Sequence, residues 1–143
     1  MRRIIMTETK KCIDYWHTTV VDKPGEARRL LEFMSAQGVN LIAFNAFPVG
    51  ERRAQLAFVP ENPDQLMQVA ADSGVELIGP KPVFLIQGED RVGALVEYHL
   101  ALANAGVNVY AANGVSGGKG RFGYIIWIKP NEMDIAAKAL GME

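Results

Sequence analysis

Asp22-Lys23-Pro24-Gly25 and Asp90-Arg91-Val92-Gly93 are the two stretches on which the fold turns. Each opens an amphipathic segment, and those segments end on Gly38-Val39-Asn40 and Gly106-Val107-Asn108. The spacing is constant (90 − 22 = 68; 106 − 38 = 68), so the chain contains one pattern twice. Further on, Pro60 matches Pro130 and Asp64 matches Asp134 at a spacing of 70 (130 − 60 = 70). That slip predicts two extra residues between Asn45/Asn113 and Pro60/Pro130, in the glycine-rich turn of the second copy, where an insertion costs little.

Outward from these stretches the elements follow in order. Tyr15 to Val21 is β-branched and aromatic, hence a strand. Glu26 to Gln37 carries Ala27, Leu30, Leu31, Phe33 and Met34 at helical spacing, and Gly38 is a natural left-handed stop. Leu41 to Val49 and Arg53 to Val59 form a hairpin, Asp64 to Ser73 a second helix, and Val75 to Ile78 a short closing strand. The second copy repeats this as strand Val83–Gln87, helix Val92–Ala105, strands Asn108–Val115 and Gly123–Lys129, and helix Met133–Leu140. Two βαββαβ units predict an α+β fold of two ferredoxin-like repeats, antiparallel sheets with helices on one face. The repeats are expected at 14–79 and 82–143, joined by a stiff linker, Gly79-Pro80-Lys81-Pro82. Residues 1–13 are read as a tail or an added strand, and Ile4-Ile5 is the candidate for the closing strand the second copy lacks.

Composition narrows the function. At 143 residues with 49% hydrophobic and 22% charged residues, the chain has a globular composition. A net charge of −1 argues against a duplex-binding protein. The single cysteine, Cys12, excludes an internal disulfide and fits a reducing, cytoplasmic compartment. With only His17 and His99 beside it, no zinc set and no nucleophile–base pair is legible, so neither a metal site nor a catalytic residue is expected. No apolar run reaches membrane-spanning length.

An Asp-x-Pro-Gly turn, a helix with a leucine pattern, and Gly-Val-Asn leading into a strand together resemble the ACT domain. The first copy carries Asp22, Pro24, Gly25, Leu30, Leu31, Gly38, Val39 and Asn40; the second carries Asp90, Gly93, Gly106, Val107 and Asn108, with Val92 in place of the proline. The resemblance implies a free-standing tandem ACT protein: a regulatory module that binds an amino acid or similar small molecule between domains, beside the first strand–helix loop, and that acts either alone or on a separate metabolic enzyme. Gly93-Ala94-Leu95-Val96 is similar to the Gly-Ala-Leu stretch of ACT domains that sense phenylalanine, whereas Ala112-Asn113-Gly114-Val115 lies where those domains carry Glu-Ser-Arg-Pro.

Elementary chemistry marks the same loops. A helix start offers unpaired N–H groups and a partial positive charge, which suits a carboxylate. Gly25-Glu26 and Gly93-Ala94 are expected to supply those groups, the glycines allowing close approach. Asp22 or Asp90 would meet an ammonium, or cap the following helix. Asn40 and Asn108 are expected at the same end of the sheet, taking the remaining polar group.

Three further expectations concern partners. Gly118-x-Gly120-x-x-Gly123 fits a dinucleotide fingerprint by letter, but a strand follows it, so it is read as a flexible hairpin turn and no cofactor is expected. Phe122 and Tyr124 share a strand face, as the base-stacking aromatics of an RNA-recognition motif do, and RNA binding is the alternative reading. Phe44, Leu56, Phe58, Tyr110, Ile126 and Ile128 are expected on exposed sheet faces that pair two chains into a homodimer.

Overall fold

The computed structural model describes residues 7–142, so Ile4-Ile5 lies outside the described residues. The elements are β1 (Thr9–Val21), α1 (Glu26–Ala36), β2 (Leu41–Pro48), β3 (Arg53–Pro60), α2 (Pro63–Ser73), β4 (Ile78–Glu89), α3 (Val96–Asn104), β5 (Val109–Gly118), β6 (Arg121–Ile128), one 3-10 turn (Pro130–Glu132) and α4 (Met133–Ala139). They divide into two compact units: Asp14–Lys81, and residues 7–13 together with 82–142.

In the first unit the strand order is β2-β3-β1-β4, with only the opening residues of β4 taking part. β3 pairs antiparallel with both β1 (Trp16↔Phe58) and β2 (Phe44↔Phe58). Trp16, Leu30, Met34, Leu56, Phe58, Leu66 and Val69 form the core under α1 and α2. On α1 the buried stripe is Leu30 and Met34, while Phe33 stays 42% exposed beside it. Gly38 at φ +74 ends α1 as the left-handed residue of a Schellman turn, in which the Val39 N–H donates to Met34 O at 2.9 Å. α2 starts on Asn62, whose side chain accepts from the N–H groups of Asp64 and Gln65, with Pro63 behind it.

In the second unit the order is β1-β4-β6-β5. Its core is Phe84, Ile86, Tyr98, Leu102, Phe122, Tyr124, Ile126 and Ile128 with α4's Met133, Ala136 and Leu140. Gly106 repeats the Schellman turn, the Val107 N–H donating to Leu102 O at 2.9 Å. Both units thus show the same ferredoxin-like order. The fourth strand of the first is the opening of β4, and that of the second is residues 9–13 of β1.

Several expectations change. The two units divide within Gly79-Pro80-Lys81-Pro82, between Lys81 and Pro82, but the stretch is part of β4, and Val75 to Leu77 is not strand. A Cβ at Gly79 would stand 2.7 Å from Trp16 Cδ1 and 2.8 Å from Tyr15 O, so only glycine fits this paired strand. The two-residue slip is not in the hairpin. Pro60 pairs with Leu41 and Ile128 with Val109, so the spacing of 68 runs to the end of the ladder (128 − 60 = 68). The extra residues make the 3-10 turn before α4. The glycine run is mostly ladder, since β5 extends to Gly118 and only Lys119-Gly120 turns before Arg121.

The exposed-face residues are also reassigned. Leu56, Phe58, Ile126 and Ile128 are buried against helices, Phe44 packs partly on that core, and Tyr110 alone of the six is mostly exposed, at 73%. Leu56, Phe58, Ile126 and Ile128 lie on the strand phase that packs on the helices, and Ala57, Val59, Val83, Leu85 and Ile125 of the opposite phase are buried as well.

Candidate functional site

α3 begins later than its pattern suggests, at Val96, because Gly93 at φ +77 turns the chain first. Within that turn Ala94 N–H donates to Arg91 O at 3.1 Å and Val96 N–H to Gly93 O at 3.0 Å. Neither aspartate caps a helix: α1 is preceded by Gly25 at φ +93 and α3 by Leu95, both without a side-chain cap bond. The aspartates instead tie each loop to the facing hairpin. Asp22 N–H donates to Arg52 O at 2.7 Å, and Asp90 N–H to Gly120 O at 2.8 Å.

In the second unit this leaves an open cavity of about 460 Å³. The turn supplies Asp90, Arg91, Gly93 and Ala94, and the start of α3 supplies Leu95 and Val96. Gly114, Val115 and Ser116 of β5 form the opposite wall, with Phe122 of β6 alongside. Ser116 Oγ donates to Asp90 Oδ2 at 3.1 Å, which orients the carboxylate. The Arg91 guanidinium is only loosely engaged, by Glu97 at 3.5 Å. Gly114 keeps the wall back: a Cβ there would stand 3.0 Å from Tyr124 Cδ1 and 3.7 Å from Leu95 Cδ1. Behind it the Tyr124 hydroxyl meets His99 Nε2 at 2.6 Å, and burial raises the phenol's pKa.

A smaller cavity of about 120 Å³ shares Arg91, Ala94 and Phe122 with the first and adds Glu8, Glu89 and Tyr98. Tyr98 donates to Glu8, and Lys10 lies 3.3 Å from the same carboxylate. The Tyr98 hydrogen bond lowers the pKa of Glu8 most; burial, the next-largest effect, opposes it, and the Lys10 charge lowers it further.

The structure unites Asp90, Gly93 and Ala94 in one cavity. It does not bring Asn108 or Asn40 there. A strand–helix–strand crossover returns the chain to the far end of the sheet before its next strand begins. Asn40 accordingly lies beside Glu61, with Nδ2 donating to Glu61 Oε2 at 2.6 Å and Glu61 N–H donating to Asn40 O at 2.9 Å. Asn108 directly precedes the Val109↔Ile128 pair, whereas Asp90 sits at the other end of β6, beside Gly120. In the first unit the Glu26 carboxylate is held between Lys23 at 3.6 Å and Arg29 at 3.2 Å. Arg91, Gly114, Val115, Ser116 and Phe122 are cavity residues that the loop motif alone does not mark. Their signal is topological, because a hairpin tip returns to the end of the sheet where the first loop begins.

Phe122 and Tyr124 are 9% and 5% exposed and belong to the helix-packed core. Base-stacking aromatics must lie on the open sheet face, so the pair expected for RNA is on the wrong side. Among the described residues no group of three His, Cys, Asp or Glu could hold a metal ion, and no helix is long and apolar enough to cross a membrane.

No family model matches the sequence, and no curated protein does. Solved structures do match. Protein BT0572 from Bacteroides thetaiotaomicron superposes with a TM-score of 0.80 at 17% identity, over 92% of this chain and 88% of that one. Aspartokinase alpha and beta subunits give 0.61 at 15% identity, over 97% of this chain and 100% of that one. The regulatory subunit of aspartate kinase from Thermus flavus gives 0.57 at 18% identity, over 96% and 95%. With its doubled ferredoxin-like order, the chain shares the tandem ACT-type fold of these structures.

Proposed function

We propose that this protein is a regulatory module that binds a small amino-acid-like molecule in the cavity of its second unit, and that it is not itself an enzyme. The observation that carries this reading is the cavity at the first loop, with an oriented Asp90 carboxylate, a loosely held Arg91 guanidinium and an apolar wall. A zwitterion has complementary ends. Its ammonium pairs with Asp90; its carboxylate takes Arg91 and the first-turn N–H groups of α3. A short aliphatic side chain fits among Leu95, Val96 and Val115. Gly25-Glu26 with Asp22 offers the corresponding place in the first unit, where the Glu26 side chain is already paired.

Structures of the same fold are named as regulatory parts of aspartate kinase, which supports regulation of a separate enzyme by small-molecule binding. A cytoplasmic homodimer belongs to the same reading. β5 is an exposed edge strand of ten residues without a charge, Tyr110 and Val115 on it stand exposed, and α3's exposed Val96 lines the same cavity as Val115. An uncharged, exposed edge of that length is a template for a second copy.

A thermal-shift screen of the twenty amino acids tests the binding. A specific ligand at 100 times its Kd adds about 2.7 kcal/mol of apparent stability. If none of them shifts the transition, the amino-acid reading fails.

A further inference from the structure

The two units are built to one plan but are not equally filled. α1 and α3 sit in the same register, because the equivalent Schellman bonds end on Met34 and Leu102 (102 − 34 = 68). Leu30 therefore stands where the second unit has Tyr98 (98 − 30 = 68). The ladders agree: Val20 pairs with Ala54, and Gly88 with Phe122. In the second unit, then, the Tyr98 ring stands in the groove between the first helix and the fourth strand where the first unit has Leu30, and the Phe122 ring lies over Gly88 where the first unit has Val20 beside Ala54. That groove is reduced to about 120 Å³ and is plugged by the Tyr98 ring, the Glu8 carboxylate and the Lys10 ammonium over the Tyr98 ring, at 5.6 Å from its centroid. Lys10 also donates to Leu140 O, at the C-terminal end of α4, at 2.8 Å. In the first unit a cavity of about 460 Å³ remains between β1, α1 and the segment that follows α2.

The walls of that cavity differ in kind as well as in volume. Thr18, a buried polar residue at 8% exposure, faces it where the second unit has Ile86. Arg29 lines it where the second unit has Glu97, and Glu76 lines it from the segment leading into the fourth strand. Arg29 is engaged by Glu26 through one nitrogen at 3.2 Å, which leaves further guanidinium donors.

We propose that this groove is a second binding site, distinct from the first-loop cavity, and that it takes a small aromatic carboxylate. The ring lies against Leu30 and Ile78, in the space that the Tyr98 ring fills in the other unit. The carboxylate is held by Arg29 and the Thr18 hydroxyl. An ammonium on the ligand adds a contact to Glu76 and to the carbonyl end of α2, as Lys10 does at the end of α4. The chain thus holds in one repeat, as fixed side chains, the groups that the other repeat recruits from solution.

Calorimetry on the full chain with phenylalanine, 3-phenylpropionate and alanine tests this. Saturable binding of the two ring acids that Asp90→Ala leaves intact is the expected result, whereas any alanine binding that Asp90→Ala removes reports the first-loop cavity. Binding of phenylalanine alone keeps the site and adds the ammonium contact as a requirement. Leu30→Tyr should abolish binding by installing the ring. Arg29→Gln, on an exposed part of the helix that does not threaten folding, should weaken it about tenfold or more. No binding of either ring acid overturns the proposal. So does binding that persists in both variants but disappears in Asp90→Ala, which would assign the ligand to the first-loop cavity; binding unaffected by Asp90→Ala separates this site from that one.

Discussion

Tyr98 on α3 donates its phenolic hydrogen to the carboxylate of Glu8, a residue 90 positions earlier in the chain. This bond, with Lys10 reaching Leu140 O at 2.8 Å, fastens the segment that opens β1 to the second unit. Removing either partner strands the other. Glu8→Gln or Tyr98→Phe should lower stability by about 1 kcal/mol at neutral pH, a figure reduced for the solvent around Glu8. The Glu8 pKa is depressed, so its contribution is present above the unfolded value near 4.5 and is lost as pH falls through the folded value. Denaturant melts of wild type and Glu8→Gln should therefore converge in acid; parallel curves would disprove the linkage.

His17 carries the opposite kind of charge dependence. Burial first, and the Lys81 charge second, lower its pKa, and its Nδ1 is buried without a partner. The folded state favours the neutral ring. Stability is then complete above about pH 6.5 and declines as pH drops below it, where the unfolded chain takes up the proton first. His17→Gln should flatten that slope between about pH 5 and 7, as read from melting temperature against pH.

Two glycines should not tolerate alanine. At Gly79 the added Cβ meets Trp16 and backbone at 2.7 and 2.8 Å, and φ is +151, so Gly79→Ala should destabilise by about 2–3 kcal/mol or prevent folding. At Gly114 the nearest atom is Tyr124 Cδ1 at 3.0 Å, and the strain is smaller, about 1 kcal/mol. Equal melting temperatures for the two variants would contradict this ranking.

Ligand binding in the second unit should separate residues by the end of the sheet they occupy. Asp90→Ala should weaken an amino-acid ligand by about tenfold or more, since it removes the charged partner of the ammonium. Asn108→Ala should leave the affinity unchanged, because Asn108 lies at the opposite end from the cavity. Calorimetry on both variants decides it: loss of binding in Asn108→Ala would relocate the site.

The repeat, the element types and the helix stops are legible in the chain's letters alone. Gly38 and Gly106 end their helices as expected because a left-handed turn is a local property that needs no distant partner. Asp90, Gly93 and Ala94 were legible as neighbours because five residues of one turn cannot separate far. Asn108 was misplaced through the direction of a crossover, which is a matter of topology. Ser116 and Gly114 reach the cavity only because a hairpin folds back on the loop, and Phe122 and Tyr124 face the helices because tertiary packing chooses which phase of a strand meets them. The partner of the last strand was the least legible feature. Backbone pairing uses the same N–H and C=O groups in every residue, so nothing in the letters of Thr9 to Ile13 states which sheet they complete. Only the folded chain, with Glu8 against Tyr98 and Lys10 at the end of α4, assigns them to the second unit.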